Sequence, residues 1–480
     1  RGGASLGAEI GSASVRCCMR RTLPTAVRPL VATRGTRWST DRAWQSRTVD
    51  VASSADRPGG DDLPRAADLS AIDLCDLDAF ASGFPHDWFT VLRREAPVWF
   101  HPPTPASPGG EGFWVLSRHE DVSAAAADPA TFSSHTGGGR AGGGTLIDDL
   151  PEGYAGVLLN MTDGRAHQQF RSLLTPSLSP RALAALEADL RGRARAIVTA
   201  ALDVGEVDLL VDVAAELPLQ AAAGLLGVPQ SDRHLLMRWA DATLDHTGDD
   251  PAEREREVAE SSAAMFAYGS ELIERRRTHP GEDLLSAAVQ GTVPDESGDG
   301  RRALRDDELQ LLFTLLAAAG TETTRNTIAV GLSALAEDPD RWDALRAEPE
   351  LVPGAVEEML RWASSTPYNR RTATRDAEVG GQRIGAGDKV TLWWASANRD
   401  ERVFDDPFTF DLRRAPNPHL AFGHGPHFCL GARLARMEIR LVLEELLTAG
   451  ARVVQCGPIE WTRSNKHTGV RHLPARVERA

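Results

Sequence analysis

Phe422-Gly423-His424-Gly425-Pro426-His427-Phe428-Cys429-Leu430-Gly431 is the stretch on which the reading of this 480-residue chain turns. Glycines at 423, 425 and 431 carry no side chain, so the backbone there can approach something flat and close. Residues 432–447 have helical apolar spacing, which predicts that Cys429 stands just ahead of a helix N-terminus. The dipole and unpaired N–H groups of such an end favour a thiolate. A lone cysteine in a glycine-rich turn is ordinarily structural. Here ten patterned residues surround it, and a thiolate at the end of such a loop suits a bond to a soft metal centre.

Four further groupings lie upstream or just downstream. Asp306-Asp307-Glu308 supplies an acidic helix start, and apolar spacing then continues to Ala336. About 30 residues at about 1.5 Å each make a helix of roughly 45 Å, long enough to cross the molecule. Midway along it, Gly320 removes a side chain and Thr323 is placed to bond back to the Ala319 carbonyl, which predicts a local opening of the helix. Glu358 and Arg361, three apart, share a helix face, where the default is a surface ion pair of little worth. His167 and Arg171, four apart, share a face and are spaced to grip one anionic group. Arg433, Arg436 and Arg440 recur at three- and four-residue spacing behind Cys429.

Composition bounds the rest. The formal charge is −15, and the first 50 residues hold nine arginines against Glu9, Asp41 and Asp50, so the remainder is more acidic still. Such a body does not wrap nucleic acid. Only Lys389 and Lys466 are lysine, a bias that reads as codon usage. The five cysteines are odd in number and form no CxxC pair, which argues for a reducing compartment and against a disulfide or zinc framework. No run of 18 uncharged apolar residues predicts a membrane span. Residues 1–66, rich in Arg, Ser and Gly, read as a disordered extension; an acid-poor, Arg/Ser-rich start mimics a transit peptide, but an extension without a folded role is the preferred reading.

Residues 67–480 read as one large domain, mainly α with a minor β part. Helical patterning dominates 166–336, with a helix over 88–94, a strand over 112–116 and β-like runs at 377–379 and 389–394. The glycine-rich stretch 133–149 lacks the Gly-Lys-Ser/Thr of a phosphate cradle and reads as a mobile loop over a pocket.

Phe422 to Gly431 resembles, position for position, the F-G-x-G-x-H-x-C-x-G signature of the cytochrome P450 family. The resemblance, spanning roughly Ala79 to Val477, implies the P450 fold, a large helical domain with a minor β-rich region. It implies haem b (iron protoporphyrin IX) with Cys429 as the axial iron ligand and His427 as a propionate partner, within a binding loop that includes Phe422, Gly423 and Gly431. Ala319-Gly320-Thr321-Glu322-Thr323-Thr324 is similar to the family's oxygen-activation motif, so Glu322 and Thr323 are expected to relay protons beside Ala319 and Gly320. Glu358 and Arg361 resemble the family's E-x-x-R pair, with Arg414 as the expected third, structural partner. His167 and Arg171 resemble a propionate-binding pair, although Asp163-Gly164-Arg165 lacks the family's proline; Arg371 resembles a further propionate arginine, with Arg370 as competitor.

The implied activity is hydroxylation of an unactivated C–H bond of a steroid, isoprenoid or branched lipid, using O2 and two electrons. The closest likeness is to soluble actinobacterial enzymes, implying a cytoplasmic bacterial protein. Arg433, Arg436 and Arg440 are the expected docking patch for a ferredoxin, itself served by a ferredoxin reductase, with a solvated helix face as the alternative. Leu158, Leu159, Leu315 and Pro367-Tyr368 are candidate pocket residues for the hydrophobic substrate. Two rivals stand beside this: a peroxide-driven or non-oxygenating haem-thiolate enzyme, and a non-catalytic haem-binding protein.

Overall fold

In the computed structural model the acidic start forms a helix N-terminus as its residues predict. Glu308 accepts the Arg305 N–H at 2.7 Å, and the helix Asp306–Ala336 runs 31 residues from there. The structure describes residues 69–150, 156–244, 251–295 and 300–479; the N-terminal extension, with Cys17 and Cys18, lies outside them.

This long helix threads two apolar cores. Its first half contributes Leu309, Leu312, Phe313 and Ala317 to a core that also holds Leu159, Leu226, Trp239 and Leu284. Its second half, Ile328 to Leu335, is buried on every side in another core with Leu178, Leu360, Leu441 and Ile439. Between the two lies the polar span from Gly320 to Thr327. The expected opening of the helix there does not occur: the helix is continuous. The Thr321, Thr323 and Thr327 hydroxyls do bond back, to Ala317, Ala319 and Thr323 at 3.0, 3.2 and 2.9 Å, but each leaves the backbone ladder in place.

The β part positions one wall. Strands Val98–His101, Phe113–Leu116, Lys389–Leu392, Asn369–Ala373 and Phe132–Ser133 form one sheet in that order, and Val390 stands opposite Arg371. A second sheet joins Ala451–Gln455, Pro474–Arg479 and Glu206–Asp208. The glycine-rich loop is pinned rather than loose, because Arg140 Nε donates to Asp149 at 3.0 Å and a Cβ on Gly138 would strike the backbone of Gly387. Among the described residues one 18-residue stretch, Leu209–Leu226, is apolar enough to cross a membrane; it carries Asp212 and Glu216 and is 67% buried in the fold.

Candidate active site

A cavity opens where the polar span of the long helix faces the cysteine loop and the strand Asn369–Ala373. Its apolar walls divide between the two cores: Leu159, Leu226 and Leu284 belong to one, Leu178, Leu360 and Ile439 to the other.

Cys429 reaches this cavity from the loop. Its N–H donates to the Phe422 carbonyl at 2.9 Å, closing the turn, and Gly431 is the N-cap of the helix Ala432–Thr448. The residue carries accessible surface although protein surrounds it, because that surface faces the cavity and not bulk water. Burial pushes its thiol up, while the Gly431 and Ala432 amides and the Arg171 and Arg436 charges pull the other way. A thiolate here needs a cation opposite it, which a haem iron is. Gly425 has a separate reason to be glycine: its φ is 72°, and a Cβ would stand 2.7 Å from the Ala126 carbonyl oxygen of the helix behind.

Five basic side chains line the same cavity: His167, Arg171, Arg371, His424 and His427. Arg371 is 3% exposed, its Nη1 donates to the Arg370 carbonyl at 2.9 Å, and it meets no carboxylate at ion-pair distance among the described residues. Burial pulls its guanidinium down to about 10. Burial, then His427 and Arg171, pull buried His167 down to about 4. His427 lies ring to ring with His167 at 4.2 Å, with Nε2 2.9 Å from Asp163 and 3.2 Å from the Ser134 hydroxyl. Against them stand Asp163, which meets His427 and also accepts from the Ser133 hydroxyl and the Ser134 and His135 amides, and Glu438, whose carboxyl burial pushes up to about 8. A buried wall so unbalanced calls for anions, and the two propionates of haem fit that need. Arg370 is turned the other way, to Asp149 at 2.7 Å and Thr372 at 2.9 Å, as alternation along a strand requires.

On the long helix, Ala319, Gly320 and Thr323 line the cavity, whereas Glu322 does not. Glu322 is 3% exposed and faces the C-terminal hairpin region, its Oε2 3.5 Å from His467 Nδ1.

Glu358 and Arg361 form no surface pair but a fully buried one. Arg361 donates twice to Glu358 at 2.7 Å and also to the carbonyls of Asn398, Pro407 and Thr409. Arg414, Asn417 and the Asp411 amide complete the Glu358 carboxylate. Burial alone would raise that carboxyl, but these donors hold it below the ordinary range. The expected basic patch is largely neutralised: Arg436 pairs with Glu357 and stacks on Phe422 at 4.6 Å, and Arg440 pairs with Glu187 and Glu444. Arg433 is exposed and holds no ion pair among the described residues. Of the apolar candidates, Leu159 and Leu315 line the cavity; Leu158 and Pro367-Tyr368 do not, Tyr368 being packed against Trp393 and bonded to the Ile147 amide.

Sequence reasoning missed Glu438, a buried carboxyl in the cavity wall that burial pushes up to about 8. Its helical spacing from Ala432 to Leu446 hints at an inward position, but an acid there reads as an outward one. Asp163 shows in the sequence only as the start of an Asp-x-Pro pattern in which Arg165 stands for the proline. A trio of Asp73, Cys75 and His101 also gathers, but His101 Nε2 already accepts the Leu74 amide at 3.0 Å and the Cys75 thiol is pushed up to about 11 by burial, which suits a structural anchor.

A mainly helical fold that holds a cysteine thiol in a cavity with a basic wall fits a haem-thiolate protein. The family model described as Cytochrome P450 matches residues 234–449. A protein designated cytochrome P450 126 from Mycobacterium tuberculosis is 48% identical over 412 residues, 86% of this chain and 98% of the relative. A methyl-branched lipid omega-hydroxylase of the same species is 40% identical over 394 residues, 80% and 89% of the two chains. Among solved structures, a Mycobacterium marinum cytochrome P450 in complex with pseudoionone aligns with a TM-score of 0.75 at 34% identity, covering 84% of this chain and 98% of that one. The chain belongs to the cytochrome P450 family. It is accordingly an oxidoreductase of the monooxygenase kind, with haem b as cofactor.

Proposed function

We propose that this monooxygenase hydroxylates an unactivated C–H bond of a steroid, isoprenoid or methyl-branched lipid, with two electrons delivered singly by a ferredoxin-type donor and its reductase. The observation that carries the reading is the leucine-rich wall of Leu159, Leu225, Leu226, Leu315 and Leu316 beside the polar span of the long helix. Support comes from the relatives, one acting on a methyl-branched lipid and another holding the terpenoid pseudoionone.

Haem, when bound, supplies the oxygen activation. Cys429 would hold its iron as a thiolate, and His167, Arg171, Arg371 and His427 would pair with its propionates. The leucines hold the substrate and exclude water from the site. Thr323 keeps a hydroxyl at the cavity wall. At rest it donates to the Ala319 carbonyl, so serving the cavity requires it to rotate. Glu322, one residue away and behind the wall, is assigned as the source of the proton that Thr323 passes on.

Spectral titration of the haem-loaded protein with sterols, methyl-branched fatty acids and terpenoids tests the substrate class. The expected result is a type I shift with one of the three sets and a hydroxylated product under ferredoxin-driven turnover. Equal turnover on hydrogen peroxide alone, insensitive to Thr323→Ala, would overturn the dioxygen route.

A further inference from the structure

Glu322 lies off the cavity, and the group that meets it there belongs to a distant part of the chain. His467 Nδ1 stands 3.5 Å from Glu322 Oε2, and that nitrogen is buried and makes no hydrogen bond among the described residues. A separation of this size in a resting site commonly closes to a hydrogen bond when the site is engaged. The backbone around His467 is fixed to the long helix on its C-terminal side. The Thr468 amide donates to the Ser365 carbonyl at 3.0 Å, Ser365 shares a hydrogen bond with Thr327 at 2.9 Å, and the Val470 amide donates to Asn326 at 3.1 Å. Gly469 lets the turn close, since a Cβ there would stand 2.5 Å from the Thr462 hydroxyl oxygen. The imidazole is therefore presented to Glu322 by a braced hairpin.

His467 also stands between Glu322 and the outside. Its side chain is 18% exposed against 5% for Glu322, and it packs in a tight crevice with Phe80, Gly83, Phe84 and Trp461. Burial, with the nearby charges of Lys466 and Arg325, pulls it down to about 4, so the ring is neutral at neutral pH. A neutral imidazole has one N–H and one bare nitrogen. It gives a proton from one side as it takes one on the other and ends uncharged.

We infer that His467 is the positioning residue of Glu322: its Nδ1–H holds the carboxylate, and the partly exposed ring re-supplies that carboxylate with protons taken up at Nε2. In the balanced step the Nδ1 proton moves to Glu322 Oε2 while a second proton binds Nε2. No electron moves and the ring stays neutral. The inference rests on the proposal that Glu322 and Thr323 relay protons.

Two readouts test it on the full-chain holoenzyme. In the diamagnetic ferrous–CO form, ¹⁵N-histidine NMR should show His467 with a protonated Nδ1 and a bare Nε2, in a signal that moves in Glu322→Gln. A bare Nδ1, indifferent to Glu322→Gln, overturns the inference. In ferredoxin-driven turnover with pseudoionone as probe, His467→Leu should lower product per NADPH about tenfold, less than loss of a direct acid–base group costs, and raise the solvent isotope effect at unchanged probe affinity. His467→Asn, which keeps an N–H near the Nδ1 position, should restore most of the coupling. If Glu322→Gln uncouples turnover while His467→Leu does not, this inference fails alone. If Glu322→Gln leaves coupling intact, the relay itself fails, and the NMR result still decides whether His467 holds the carboxyl.

Discussion

Neighbouring arginines on one strand show how far a single residue's fate depends on the side it faces. Arg371 turns into the cavity and meets no carboxylate at ion-pair distance among the described residues, and Arg370 turns to Asp149. Arg371→Met should weaken haem retention by roughly 1.5–3 kcal/mol, the worth of a hydrogen bond to a charged group, read as faster haem transfer to apomyoglobin. Arg370→Met should leave that rate unchanged. Glu438 gives a second prediction at this scale. Folded, its carboxyl stays neutral up to about pH 8; unfolded, it ionises in the ordinary carboxylate range. Stability tied to this group is therefore greatest at acid pH and falls as pH rises toward about 8. Glu438→Gln removes that slope, so the variant's gain in thermal midpoint over the parent should grow from pH 5 to about pH 8. A gain that stays flat across the range would mean an ionised Glu438.

Elements differ in how plainly the sequence announces them. The long helix was legible from its acidic start and apolar spacing, because both signals are local. Its continuity through Gly320 to Thr327 was not, since that depends on two cores gripping it from either end. The Glu358–Arg361 pair had visible spacing but invisible depth: nothing local says that three carbonyls, Asn417 and Arg414 close over it. Depth decides its worth. Removing one partner of a buried pair leaves a bare charge and costs about 3–5 kcal/mol. Arg361→Leu should lower the urea midpoint accordingly, whereas Arg413→Leu, which breaks an exposed pair with Glu348, should barely move it. Comparable losses in the two variants would contradict the burial argument.

At the scale of the whole molecule, the net charge of −15 conceals how its arginines are used. Two of the three behind Cys429 are tied to glutamates, leaving Arg433 exposed. If an acidic donor docks there, Arg433→Glu should raise the donor's apparent KM several-fold at low salt, with the difference shrinking as salt screens it. Reversing Arg440 should instead act through lost stability. An unchanged KM for Arg433→Glu would place the docking surface elsewhere. The cavity wall split between two cores has a consequence of another kind. Leucines such as Leu159, Leu226 and Leu284 answer to one core, while Phe422 and Leu434 near Cys429 pack against the other and Leu430 touches both. Selection or a designer can redraw the first set to admit a different molecule without disturbing the iron's surroundings, so new appetites can evolve on unchanged chemistry.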